Sequence, residues 1–210
     1  MLTVIEYEQE IEGKGVENMI EFKGFPKIPR LSKEVIISEK IDGTNAQIYI
    51  AENCEPITLK SGRVVPFLCG SRTRWIFPEN DNAGFATWAY SNAEELLKLG
   101  PGSHFGEWWG AKIGRKYDLT EKRFSLFNVA RWKDDEVRPK CCHVVPQLYK
   151  GDFSTNAIET VLSWLKVHGS VASPGFMDPE GIVIYHTAAK QYFKKTFEHL
   201  SKWELDLKRD

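Results

Sequence analysis

Apolar and polar residues alternate with a strand-like period of two through much of the chain, in short runs broken by glycine and proline. The clearest run covers 33–50. Val35, Ile36 and Ile37 lead into Ser38-Glu39-Lys40-Ile41-Asp42-Gly43-Thr44-Asn45, and Ala46, Ile48 and Ile50 then alternate with Gln47 and Tyr49. That pattern predicts a hairpin with Lys40 and Asp42 at its turn. A second strand-like stretch, 57–75, is interrupted at Gly62 and Pro66. Further short strands are expected over 104–109, 124–129, 143–148, 182–185 and 191–197. The third of these belongs at a sheet edge, because Pro146 has no N–H to give to a ladder.

Helical spacing appears twice. Phe85, Ala89, Leu96 and Leu99 fall near one face of 82–99, and Gly100-Pro101 ends that run. Ser91 with Glu94 spells a capping box inside it, which predicts two helices with a break there. Ile158, Leu162 and Leu165 line a second helical face, with Asn156 and Glu159 as its capping box and Gly169 past its end. Residues 1–30 read as an irregular leader with one short strand, and 198–210 as a polar terminal helix. Many short strands with two or three helices predict an α+β fold with largely antiparallel sheet. One domain over 1–210, with no separate C-terminal domain, is the expected organisation.

Composition narrows the partners. The chain has 210 residues, 42% hydrophobic and 27% charged, with a formal net charge of −1. A generally basic nucleic-acid coat is therefore excluded, and any polyanion site has to be a local patch. Arg63, Arg72, Arg74, Lys112, Arg115, Lys116, Lys122 and Arg123 are the candidates for it. No apolar stretch approaches the length of a membrane span, and no secretory signal opens the sequence. Four cysteines without a C-x-x-C indicate neither a disulfide framework nor a zinc site. A cytoplasmic protein with reduced thiols, monomeric and off the membrane, is expected.

Acids and bases then recur at strand ends among glycines and aromatics: Lys40 with Asp42, Arg72 with Arg74, Glu107, Glu180, and Lys194 with Lys195. A lysine is a nucleophile when burial or cationic neighbours strip its proton. A bare K-x-D-G equally describes a surface lysine before a turn. Glu107 and Glu180 are lone acids in apolar strands, a costly arrangement unless each finds a cation, a metal or a hydroxyl.

Taken in order, these stretches resemble the motifs of the covalent nucleotidyltransferases, the superfamily of ATP-dependent ligases and mRNA capping enzymes. KIDGTN (40–45) resembles motif I, FGEWWG (105–110) motif III, FSLFNV (124–129) motif IIIa, EGIVI (180–184) motif IV and YFKKT (192–196) motif V. With Glu39, the first becomes EKIDGTN, closest to the RNA ligase 2-type branch. The resemblance implies a nucleotidyltransferase domain and an ATP-dependent RNA ligase that joins 3′-hydroxyl and 5′-phosphate ends through lysyl-AMP. A DNA nick ligase of the same chemistry, or a nucleic-acid-binding module without turnover, are the alternatives. ATP and Mg²⁺ or Mn²⁺ are the implied cofactors. The implied partner is nucleic acid: RNA, with DNA or hybrid ends as variants.

Residue roles follow from the same resemblance. Lys40 would attack the α-phosphate, with Asp42 near the nucleotide and metal, and Glu39 beside the nucleotide. Asn45 would position the polynucleotide ends. Arg72 matches the arginine that touches ribose or phosphate, and Arg74 is the second candidate, placed with Asn45 on the nucleic-acid side. Glu107 would hold a ribose hydroxyl, Phe127 stack on adenine, and Glu180 bind the divalent metal. Lys194 would neutralise the α-phosphate, with Lys195 as a second nucleotide contact. Adjacent lysines on a strand point to opposite faces, so only one reaches the site, and Lys194 is the expected one because Thr196 then takes the second inward position.

Overall fold

The computed structural model describes residues 34–197 together with Gly24, Phe25, Lys27 and Ile28. The leader strand expected before residue 30 and the helix expected over 198–210 lie outside the described residues.

The chain starts with β1 (Glu34–Lys40), then β2 (Thr44–Ile50), β3 (Ile57–Thr58), β4 (Val64–Val65), β5 (Leu68–Gly70) and β6 (Trp75–Ile76). Helices α1 (Phe85–Ser91) and α2 (Ala93–Leu97) precede β7 (Gly102–Gly110) and β8 (Lys122–Leu126). The short α3 (Val129–Trp132), β9 (Cys142–Val144), β10 (Gln147–Asp152), α4 (Thr155–His168), β11 (Gly181–His186) and β12 (Gln191–Thr196) follow. They build a four-stranded sheet in the order β10-β1-β11-β12 and a six-stranded sheet in the order β6-β5-β2-β7-β8-β9. Every pairing in these two sheets is antiparallel except β8 with β9. This is the expected α+β class. Among the described residues no helix is long and apolar enough to cross a membrane.

The hairpin expected over 33–50 is not one. β1 and β2 are both strands, but β1 pairs with β10 and β11 in the small sheet, while β2 pairs with β5 and β7 in the large one. Ile41, Asp42 and Gly43 form a crossing between sheets. Ile41 is buried with Trp109, Tyr117, Val129, Val145 and Phe176, so the crossing is anchored by its own apolar cluster. Gly43 passes so close to β7 that a Cβ there would sit 2.6 Å from the Trp108 carbonyl oxygen. Only glycine permits that approach.

Two cores back the two sheets. On the large sheet, Ala46, Ile48 and Ile50 pack under α1 and α2 with Phe67, Phe85, Trp108 and Phe124. The Phe85 ring lies 5.1 Å from Phe124 and 5.5 Å from Trp108, tilted geometries that add to simple area burial. On the small sheet, Val35, Ile37, Ile182 and Ile184 meet Leu162 and Leu165 of α4. The expected break in 82–99 exists, at Asn92 rather than through a Ser91 capping box. The Ser91 hydroxyl instead donates back to the Thr87 carbonyl at 2.9 Å. The cap of α4 is likewise Ser154, whose hydroxyl accepts from Ala157 N–H at 3.0 Å, and not Asn156. The strand expected over 143–148 is two strands, β9 and β10, one at the edge of each sheet, with Pro146 between them. The strand expected over 124–129 stops at Leu126, where Asn128 caps α3 by accepting from Arg131 N–H.

Candidate active site between the sheets

The cleft faces of the two sheets enclose a cavity of about 590 Å³. Alternation along β1 places Val35, Ile37 and Glu39 toward α4 and leaves Ser38 and Lys40 toward the cleft. Lys40 Nζ donates to Glu180 Oε2 at 2.6 Å, both side chains largely shielded from water, at 23% and 17% exposure. Glu180 precedes β11, whose Gly181 pairs with Lys40 across the ladder. The small sheet therefore brings nucleophile candidate and acid together across 140 residues of sequence.

The large sheet supplies the facing wall. Asn45 of β2 stands opposite Glu107 of β7, and its amide donates to Glu107 Oε2 at 3.1 Å. Burial pushes the Glu107 carboxyl up to about 7. The Lys40 charge and the Asn45 hydrogen bond oppose that rise, while the nearby Glu180 and Asp42 carboxylates add to it. Phe127, half-buried after the end of β8, and the exposed Arg72 in the β5–β6 loop also line the cavity. Lys40, Glu39, Asn45, Arg72, Glu107 and Phe127 are thus brought together around one space, with Glu180 bonded to Lys40.

The other expected site residues sit differently. Glu39 touches the cavity, but its carboxylate is occupied: Oε1 accepts from the Ser170 hydroxyl at 2.6 Å, and Oε2 from the Val171 and Ala172 N–H groups at 2.8 and 2.9 Å. Burial raises its pKa, and those three donors hold the rise down. Asp42 turns toward 114–117, where Arg115 N–H donates to Oδ2 at 3.0 Å, and its own N–H donates to the Tyr117 hydroxyl at 2.8 Å. Arg74 donates to the Asn80 carbonyl at 3.1 Å and does not line the cavity. Lys195 faces α4, with Nζ 2.5 Å from Glu159 Oε1, so it does not join the cleft residues. Lys194 pairs with the cavity-lining Val183 and shares its face. Its exposed side chain borders instead the separate groove of about 420 Å³ between α4 and β12.

Sequence reading missed the supports. Ser170 and the two amides after it, which satisfy Glu39, lie more than 130 residues beyond it. Tyr117 is fully buried against Trp109 and Phe176, and its hydroxyl fixes the Asp42 backbone. It is held by a turn in which Lys116, Tyr117 and Asp118 all have left-handed φ of 63°, 49° and 54°. Each such residue costs about 1–2 kcal/mol. No local pattern marks that turn, because of Lys116-Tyr117-Asp118 only the aspartate is of a type that tolerates left-handed backbone. Of the basic residues, three have carboxylate partners: Arg63 pairs with Glu79, Arg123 with Glu121 and Arg115 with Asp178.

The family model for RNA ligases matches residues 33–203. The chain belongs to the RNA ligase family. Its fold is similar to that of Naegleria gruberi RNA ligase. A variant of that enzyme with AMP and Mn superposes with a TM-score of 0.53 at 18% identity, over 78% of this chain and 49% of that one. A variant with ATP and Mn gives 0.54 at 17% identity, over 85% and 52%. The RNA ligase chain described here therefore spans about half the length of those structures. No curated protein matches the sequence.

Proposed function

We propose that this member of the family is an ATP-dependent RNA ligase of the RNA ligase 2-type branch, with Lys40 as its nucleophile. The observation that carries the reading is the placement of Lys40 against Glu180, opening onto a cavity whose far wall holds Glu107, Asn45 and Phe127. In the first step Lys40 Nζ, having lost a proton, forms an N–P bond to the α-phosphorus of ATP while the α–β P–O bond breaks and pyrophosphate leaves. A 5′-phosphate oxygen then takes the adenylyl group and frees the lysine. A 3′-hydroxyl oxygen finally forms the phosphodiester, and AMP departs.

Each residue's part follows from its chemistry. Phe127 offers a ring face to adenine. Glu107, poised near neutrality, can accept from or donate to a ribose hydroxyl. Arg72 is an exposed cation on the cavity wall, suited to phosphate. Lys194, paired with the cavity-lining Val183, is the cation offered to the α-phosphate. Glu180 is a hard oxygen donor, and Mg²⁺ or Mn²⁺ sites of this kind need only one or two carboxylates beside the substrate phosphates. When bound, the ion would neutralise charge developing on those phosphates. Asp42 acts through its neighbours, shaping the crossing that carries Lys40.

The test is intact mass after incubation with ATP and Mg²⁺, following pyrophosphate treatment to remove any bound AMP. An AMP adduct on the wild type and none on Lys40→Ala is the expected result. An unmodified wild type overturns the reading. RNA and DNA ends offered in parallel then assign the substrate.

A further inference from the structure

The cleft face of the large sheet carries more than the nucleotide reading uses. In register, Phe105 stands opposite Gln47, Gln47 opposite Gly70, and Gly70 opposite Trp75. Directly paired residues share a face, so the four form one row across β7, β2, β5 and β6, at strand spacings of about 5 Å. Phe105 and Gln47 line the cavity, so the row begins inside it. Phe127 N–H donates to the Phe105 carbonyl at 3.0 Å, which sets Phe127 at the row's inner end.

Two large rings on this row are open to solvent, Phe105 at 54% and Trp75 at 44% exposure. Between them Gly70 contributes no side chain. A Cβ there would lie 3.2 Å from Trp75 Cζ3 and 3.2 Å from Gln47 Oε1, so the indole leans across the glycine toward Gln47. Tyr49, next on the same face of β2, supports it from the side with ring centroids 6.2 Å apart. Gln47 is itself fixed by its amide donating to Ser103 Oγ at 3.0 Å. Arg72 and Arg74 are both exposed on the loop that joins Gly70 to Trp75. On a chain of net charge −1, these two cations sit where the aromatic row ends.

We infer that the row from Phe105 to Trp75 is a base-stacking track for a single-stranded polynucleotide segment leaving the cavity, with Arg72 on its phosphates. Stacking on ring faces accepts any base, and a neighbouring guanidinium supplies the phosphate contact that stacking lacks. The substrate class rests on the ligase reading; the track rests on the sheet register and the exposed rings.

The experiment measures anisotropy of a short labelled 5′-phosphorylated single-stranded RNA against the full chain, as wild type, Trp75→Ala, Trp75→Phe and Phe105→Ala, each checked for an unchanged melting transition. Trp75→Ala and Phe105→Ala are expected to weaken binding by about tenfold or more, and Trp75→Phe to restore most of it. Arg72→Gln is expected to lower the salt dependence of binding by about one phosphate contact. If Trp75→Ala melts early, Trp75→Phe and Phe105→Ala still decide. Equal affinity across the variants, or no RNA binding by the wild type, overturns the track and leaves the row as a face for a protein partner. Adduct formation with ATP is scored separately on the wild type: an adduct with unchanged RNA affinities sinks the track alone, and no adduct sinks the ligase reading alone.

Discussion

The two walls of the cleft are built from opposite solutions to the same problem. The small sheet places charge in its strands: Lys40, Glu39 and the adjoining Glu180 all sit on or beside it, and each is answered by a specific polar partner. The large sheet places rings and amides: Phe105, Phe127, Gln47 and Asn45 on the cleft side, with a thick aromatic core behind. A charged wall needs each partner in position, because a buried charge left alone is costly. An aromatic wall is more tolerant, since its energy comes from area. On the proposed function, the difference separates reaction from recognition: one wall holds the group that would react, the other offers surfaces on which a nucleoside or a base would lie.

That contrast can be broken in order of size. Phe124→Ala removes a fully buried ring from the large core and is expected to cost about 3–5 kcal/mol, read as a lower urea midpoint. A loss below about 1 kcal/mol would mean that the large sheet does not depend on its aromatic core.

Glu107 is the one strongly shifted acid on the aromatic wall, and its effect has a definite sign. Its folded value of about 7 lies above the ordinary 4.5, so the folded chain holds a proton that the unfolded chain has released between those values. Its contribution therefore falls as pH rises from 4.5 through about 7 and is most unfavourable above that. Glu107→Gln removes the slope. The variant is expected to exceed wild type by on the order of 3 kcal/mol near pH 8, with the gap closing in acid. Parallel denaturation curves across that range check it, and a constant gap would count against the burial explanation.

Smallest is the change at Glu39. Glu39→Ala strands the Ser170 hydroxyl and two backbone N–H groups, and is expected to cost about 1–3 kcal/mol. Glu39→Gln, which keeps an acceptor for the amides, recovers part of it. Equal losses for the two would show that packing and not hydrogen bonding holds the 170–172 turn.

Legibility differed along the same divide. Alternation located β1 and β2 well, and five motifs in order brought Lys40, Glu107, Phe127 and Glu180 into one site reading. It could not say that β1 and β2 part company, because a strand's pattern encodes its two faces and not its neighbour. The partners of β1 are residues 147–152 and 181–186, far along the chain. Caps failed for a related reason: Ser91 and Asn156 have the right spacing, yet Ser154 is one residue ahead of α4 and takes the amide first. Period-two reasoning puts Lys194 and Lys195 on opposite faces of β12, yet both border the groove beside α4, and the Glu159 that claims Lys195 is on a helix no strand pattern could reveal.

The three-residue crossing from Lys40 to Thr44 has a mechanical consequence. It ties the two walls at one corner with almost no slack, since Gly43 is pressed against the Trp108 carbonyl and Ile41 is buried. Any pivot of one wall against the other has to turn about this spine together with the equally short Val145-Pro146 crossing from β9 to β10, whose Pro146 carbonyl accepts from Glu39 N–H at 2.9 Å. Lys40 and Asn45 lie on either side of it, close to the axis, where a given rotation moves them least. Trp75 and Tyr192 stand farther out on their respective sheets, where the same rotation sweeps the widest arc.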